Sequence, residues 1–180
     1  MEAPLWLLLG WGGIGAIDFV YNHIYRYRLY AHASSFREHG VHTLLALVLT
    51  ATVVMLVFIE MGSVGFAIFL GIQALAVIFT LWDVSIERAS RAPLGGLPTH
   101  EYVLHTVIFL LHGAFVWAVI TNAHQLVHGV GFGVWRWPPL SLFLLVEAVI
   151  FAIVGAGVCV LHLYLLSVGY RTLKTEVAAS

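Results

Sequence analysis

Five apolar stretches dominate this chain, and each is long enough to cross a membrane as a helix. A spanning helix needs roughly 20 mostly apolar residues. Only 9% of the 180 residues are charged, against about 25% in a typical soluble domain. This excludes a soluble domain and makes a nucleic-acid partner unexpected. We predict an all-α integral membrane protein with one domain over residues 1–180. The expected spans are Pro4–Tyr25, His42–Met61, Ser63–Val84, Val103–Asn122 and Leu140–Ser167.

Basic residues are unevenly divided between the two sides of the membrane. Five spans place the segments Arg26–Arg37 and Arg88–Arg91 on one side together with the C-terminal tail, and we call this side A. The opposite side, side B, carries only Arg136. Lys and Arg concentrate in cytoplasmic loops. We therefore predict that side A is cytoplasmic, with the N-terminus outside and the C-terminus inside.

The polar residues of the spans form a repeated pattern. Two copies of Glu-x-x-x-His-Thr, Glu38–Thr43 and Glu101–Thr106, each stand at the start of a span. The span before each copy ends in an aspartate followed four residues later by a polar residue, in Asp18–Asn22 and Asp83–Glu87. The loop between the two parts has nearly the same length in both copies. The chain therefore carries an internal repeat whose polar parts lie on side A.

The repeat predicts an architecture and a place where its side chains meet. Residues 4–62 and 63–122, approximately, are expected to be two parallel helix-hairpin repeats that form a four-helix bundle, with an extra helix at about 140–168. Residues four apart share one helix face. The polar faces of both hairpins should therefore converge at one point on side A. The residues predicted to meet there as metal ligands are Asp18, His23, Glu38, His42, Asp83, Glu87, Glu101 and His105.

Several carboxylates and histidines on four helices indicate a di-metal centre. Soluble di-iron and di-manganese bundles use a similar mixture of Glu and His side chains from four helices. We therefore expect two metal ions, with iron favoured and zinc or manganese as alternatives, because all three accept these ligands. The expected function is that of an oxidoreductase of the hydroxylase or desaturase type. Its substrate would be a hydrophobic small molecule or a lipid from the bilayer, and a redox partner would supply electrons.

Several roles besides oxidation at a di-metal centre also fit these residues. Glutamates at helix starts are favoured by the helix dipole, and the aspartates can pair with Arg26 or Arg91 in a structural ion-pair network. His42 and His105 also suit the two axial positions of a haem in a membrane cytochrome. A metal-dependent membrane hydrolase and an ion or proton pathway are further alternatives.

The chain is rich in histidine, with ten in all, and some of them lie outside the repeated motif. Four residues are expected to support the ligands without binding metal. His124 and His128 stand four apart on side B, where they form either a second metal site or part of a solvated loop. The supporting residues are Asn22, His39, His112 and His162.

Overall fold

The computed structural model describes residues 2–136 and 141–179, and helices make up most of it. Among these residues, five helical segments of 23 to 32 residues are long and apolar enough to cross a membrane. This confirms the five predicted spans and indicates a multi-pass membrane protein. The start predicted for the fifth span, Leu140, lies outside the described residues. The α-helices are α1 (Glu2–Asp18), α2 (Phe36–Phe58), α3 (Ser63–Arg91), α4 (Thr99–Thr121), α5 (Ala123–Leu126) and α6 (Leu142–Ala179).

Helices α2, α3, α4 and α6 extend further toward side A than their predicted spans, and α2 and α3 do so with residues of the predicted site. Helix α2 begins at Phe36 rather than at His42, and α3 continues to Arg91 rather than ending at Val84. Hydropathy alone does not include these turns because they carry charged residues. In the structure Glu38, Glu87 and Arg91 of these turns are buried, whereas Arg37 and Arg88 are exposed.

The side A end of the first span departs from regular α-helix. After Asp18 the chain continues as a π-helix over Phe19–Arg26, and a short 3-10 turn follows at Leu29–Ala31. A π-helix closes its hydrogen bonds between residues five apart, and such segments occur frequently at functional sites. In a π-helix, residue i+5 lies one turn after residue i on the same face of the helix. In this chain, His23 therefore lies on the same face as Asp18.

The helices pack in a small number of close pairs. Helix α1 packs mainly against α4, and α2 packs against both α3 and α6. The core contains Leu5 and Leu8 of α1, Val53 of α2, Phe69 of α3 and Phe115 of α4. These contacts place the side A ends of α1, α2, α3 and α4 around a common centre. The superposition of the two helix-hairpin repeats stays a prediction.

Side B contains a small sheet that the sequence did not indicate. Strand β1 (Ile59–Met61) pairs antiparallel with β2 (Gly133–Trp135). The loop before β2 also contacts the start of α3, where the Ser63 N–H donates to the Gly129 carbonyl at 3.0 Å. Helix starts leave backbone N–H groups without partners inside the helix, and this loop supplies acceptors for them. A Cβ at Gly65 would overlap the loop backbone, so only glycine allows this close approach.

Candidate metal centre

The eight residues predicted as metal ligands lie together at the side A end of the helices. We call this set the acidic–histidine cluster. His42 and His105 are partly exposed, and the other six are buried. The cluster joins the π-helix and four of the α-helices, so it depends on how α1, α2, α3 and α4 pack at side A. Its members are Asp18, His23, Glu38, His42, Asp83, Glu87, Glu101 and His105.

Two aspartate–histidine pairs form the outer parts of the cluster. Between α1 and α4, the Nε2 atom of His105 lies 3.1 Å from Oδ2 of Asp18. Between α2 and α3, the Nε2 atom of His42 lies 3.2 Å from Oδ1 of Asp83. Each histidine comes from a Glu-x-x-x-His-Thr motif and meets the aspartate of the other copy of the repeat. The two pairs have the same composition and nearly equal distances, but only the contact between His105 and Asp18 has the geometry of a hydrogen bond.

Glu87 and Asn22 contact the two side chains of the first pair, His105 and Asp18. The Nδ1 atom of His105 lies 3.2 Å from Oε2 of Glu87. The side-chain amide of Asn22 donates to Oδ1 of Asp18 at 2.6 Å. A histidine that binds metal through one ring nitrogen commonly presents the other to a carboxylate, which orients the ring. Glu87 occupies that position toward His105.

His23 lies in the middle of the cluster. Its Nε2 atom is 3.3 Å from Oε1 of Glu101 and 3.7 Å from Oδ2 of Asp18. Its ring also packs edge-on against the ring of His42, with 4.0 Å between their centroids, and lies 6.3 Å from that of His105. The π-helix explains this position, because His23 follows Asp18 by five residues. On a regular α-helix, only residues three or four apart would share a face.

Arg91 is the only buried arginine among the described residues, and it joins the two glutamates of the repeated motif. Its Nε donates to Glu38 at 2.8 Å, and its guanidinium also donates to both carboxylate oxygens of Glu101. Ser90 adds a short hydrogen bond to Glu38. The guanidinium lies over the ring of Tyr27, 4.6 Å from its centroid. The arginine ion pairs therefore involve the two glutamates, whereas each aspartate contacts a histidine.

The charges of the cluster do not balance within the chain. Five buried carboxylates surround one buried guanidinium, which leaves four negative charges when the histidines are neutral. Removing charged groups from water without a partner is costly. Two divalent cations would neutralise this excess, whereas protonation of His42 and His105 would neutralise half of it.

The spacing of the ligand atoms suits a bound metal ion. Two ligand atoms that are each about 2.1 Å from an ion lie about 3.4 Å apart at a tetrahedral angle. The observed separations of 3.1 to 3.7 Å are close to this value. Two groups can hold a metal ion, each with its ligand atoms within 4.8 Å of one another. They are Asp18, His23, Glu101 and His105, and His23, Glu38 and His42.

Several buried ligand atoms also lack a hydrogen-bond partner within the described part of the chain. They include both ring nitrogens of His23, Nε2 of His42 and Oδ1 of Asp83. Buried polar atoms are nearly always hydrogen-bonded in folded proteins. His42 and Asp83 face each other at 3.2 Å without hydrogen-bonding geometry. Atoms arranged in this way fit a shared metal ion better than a direct hydrogen bond.

A second group of histidines lies beside the cluster. The ring of His162 on α6 stacks on Phe19 at 3.6 Å between centroids, and its Nδ1 lies 3.0 Å from the Thr43 hydroxyl. His39 is fully buried and stacks on His162, with 5.1 Å between centroids. These contacts place two of the three predicted supporting histidines, His39 and His162, next to the cluster, and they connect α6 to it.

The structure does not bring three other histidines to the cluster. His112 lies deeper in α4, where it stacks on Trp11 and its Nε2 lies 3.2 Å from Oε1 of Gln73. On side B, His128 lies 4.0 Å from Glu60, and His124 contacts its neighbour Gln125. Both metal-competent groups found among the described residues lie on side A.

An apolar cavity of about 140 Å³ opens from the cluster into the interior of the molecule. Asp18, His42, Asp83, His105 and His162 line its side A end. The rest of its wall is almost entirely aliphatic and aromatic. The cluster therefore borders an apolar space within the membrane-spanning part of the helices.

Three features of this site were not foreseen from the sequence. One is the position of Arg91 between two glutamates, although the sequence did mark Arg91 as a possible partner for the aspartates. Another is Ser90, for which no sequence signal exists. The third is the cavity, because its wall is formed by five helices and no local pattern encodes it.

Comparison with known proteins yields no match, whether with protein-family models, curated proteins or solved structures.

Proposed function

We propose that this chain is a membrane metalloprotein that holds two metal ions in the acidic–histidine cluster, with iron favoured, and acts as an oxidoreductase. The observation that carries the proposal is the pair of aspartate–histidine contacts on either side of His23. Carboxylate and histidine side chains that project inward from four helices are the ligand set of di-metal centres in four-helix bundles.

Each ion would be held by one aspartate–histidine pair and completed from the centre. Asp18 and His105 would hold the first with His23 and Glu101, and Glu87 would orient the His105 ring. His42 and Asp83 would hold the second, with Glu38 and His23 within reach. Arg91 would then fix the two glutamates and limit the net charge of the site.

The chemistry follows from the ligands and the neighbouring cavity. Carboxylate-rich iron centres with a few histidines supply oxygen activation for hydroxylation or desaturation. A hydrophobic substrate bound against the apolar wall of the cavity would lie next to the side chains of Asp18 and His105. With side A in the cytoplasm, a redox partner would approach from that compartment.

The alternatives receive less support. A porphyrin between His42 and His105 would occupy the place of the His23 ring, which lies 4.0 Å from one ring and 6.3 Å from the other. A proton pathway needs polar groups through the whole membrane. Below the cluster, however, Gln73 pairs with Thr52 and His112 in a closed set of hydrogen bonds. A hydrolytic zinc site more often relies on histidines than on carboxylates.

The proposal is tested with histidine variants loaded with iron(II) in lipid nanodiscs. His42→Ala and His105→Ala should each lose bound iron and reductant-dependent oxygen consumption together. Removal of a supporting residue costs about 10–100-fold in metal affinity, and loss of a ligand should cost at least as much.

His128→Ala is the matched control, because His128 is half exposed on side B. It should keep wild-type iron content and oxygen consumption. Full iron content in both cluster variants would refute the metal centre, and bound iron without oxygen consumption would refute the oxidoreductase.

A further inference from the structure

The cavity beside the cluster is long. Its lining runs from His42 to Val53 along α2 and from His162 to Phe151 along α6. At the helical rise of about 1.5 Å per residue, each run is about 16 Å long. An apolar space of this length matches an extended alkyl chain.

The two ends of the cavity differ in chemistry. At side A it meets charged and imidazole side chains, among them Asp18 and His105. At its deep end it meets Trp11 and Phe151. The hydroxyls of Thr50 and Thr80, which also line it, donate to carbonyls of their own helices. The wall between the two ends therefore presents no free donor.

From this shape and polarity, we propose that the cavity binds one unbranched alkyl chain of a single-chain amphiphile. Its polar end would lie at the acidic–histidine cluster and its methyl end would lie against Trp11, Val53 and Phe151. This orientation follows membrane depth, because the cluster lies near the polar loops of side A while the deep end lies in the apolar interior. The inference rests on the proposed function for the role of the cluster and names its substrate class.

Small residues make room for the chain, and they offer a matched pair of variants. Gly15 lines the cavity, and a Cβ built on it meets nothing within 4 Å. Gly13, two residues earlier on α1, has the same open surroundings but does not line the cavity. Gly15→Leu should therefore fill the cavity, and Gly13→Leu should leave it open. Each substitution replaces one glycine of α1 by leucine, so the two have the same effect on the flexibility of the helix backbone.

The test is photolabelling in phospholipid nanodiscs, because alkyl detergents would compete for the site. Two isomers of dodecanol are used, one with a diazirine beside the methyl end and one with it beside the hydroxyl group. The methyl-end probe should label Trp11, Val53 or Phe151 in a saturable manner. The hydroxyl-end probe should label residues near the cluster, such as Leu45 or Ile108. Unlabelled dodecanol should abolish both signals.

Gly15→Leu should lose the saturable labelling, and Gly13→Leu should retain it. If Gly15→Leu does not fold, Ala46→Leu serves the same purpose, because Ala46 also lines the cavity. A reversed pattern for the two probes would overturn the orientation. Labelling confined to lipid-facing residues, or undiminished in the filled variants, would overturn the binding site.

The labelling is measured both on chelator-treated and on metal-loaded protein. Saturable labelling in a protein that never binds metal would sustain the chain-binding site and refute the proposed function. Bound metal without saturable labelling would refute the chain-binding site and leave the proposed metal centre supported.

Discussion

At the scale of single residues, the cluster depends on how its buried charges are paired. Arg91 is fully buried and donates to Glu38 and Glu101, which are also fully buried. Removing one partner of a buried ion pair leaves an uncompensated charge, which is far more costly than removing both. Arg91 is therefore the residue on which the packing of α2, α3 and α4 at side A depends most.

Arg91→Met should lower the free energy of unfolding by about 3–5 kcal/mol, because two buried glutamates lose their shared cation. The measurement is denaturant-induced unfolding in mixed micelles, followed by circular dichroism. Arg88→Met is the control, since Arg88 is exposed on the same helix, and its effect should stay within about 0.5 kcal/mol. Equal effects of the two substitutions would contradict the role given to Arg91.

At the scale of secondary structure, the π-helix Phe19–Arg26 decides which residues the first span contributes. It allows Asp18, Asn22 and His23 to face the cluster together. The corresponding segment of α3 stays α-helical, and there the residue after Glu87 is the exposed Arg88. Among the described residues, the acidic–histidine cluster therefore has a single central histidine, which the first span supplies.

His23→Ala should lower metal content more than either His42→Ala or His105→Ala, because His23 belongs to both metal-competent groups. The measurement is elemental analysis of the purified variants. Tyr21→Ala is the control from the same π-helix, since Tyr21 is 51% exposed, and it should keep wild-type metal content. Unchanged metal content in His23→Ala would contradict the central position of this histidine.

The five spans and their polar faces follow from the sequence, whereas the π-helix, the strand pairing and the burial of Arg91 do not. Apolar runs located all five spans, and the four-residue spacings placed Asp18, His42, Asp83 and His105 on inward faces. The π-helix could not be predicted, because nothing local distinguishes it from α-helix. The pairing of β1 with β2 depends on segments far apart in the chain. The burial of Arg91 depends on carboxylates supplied by two other helices.

At the scale of the whole molecule, the predicted orientation places the centre on the cytoplasmic side. Cys159 is buried, so single exposed cysteines can report the side of each loop. Val130→Cys on side B should react with a membrane-impermeant maleimide on intact cells, because Val130 is 79% exposed. Ser34→Cys on side A, also at an exposed position, should react only after permeabilisation. The opposite pattern would show that side A faces the outside. A reporter enzyme fused after Ser180 should be active inside the cell.

Metal stoichiometry tests most directly whether two metal ions occupy the acidic–histidine cluster. The protein is purified through a tag without histidines from metal-replete cells, and weakly bound ions are removed with a chelator wash. Elemental analysis should then give two metal ions per chain, with iron the main element. Less than one ion per chain, both as purified and after reconstitution with iron(II), manganese(II) or zinc(II), would contradict the account. The acidic–histidine cluster would then be a network of ion pairs around Arg91.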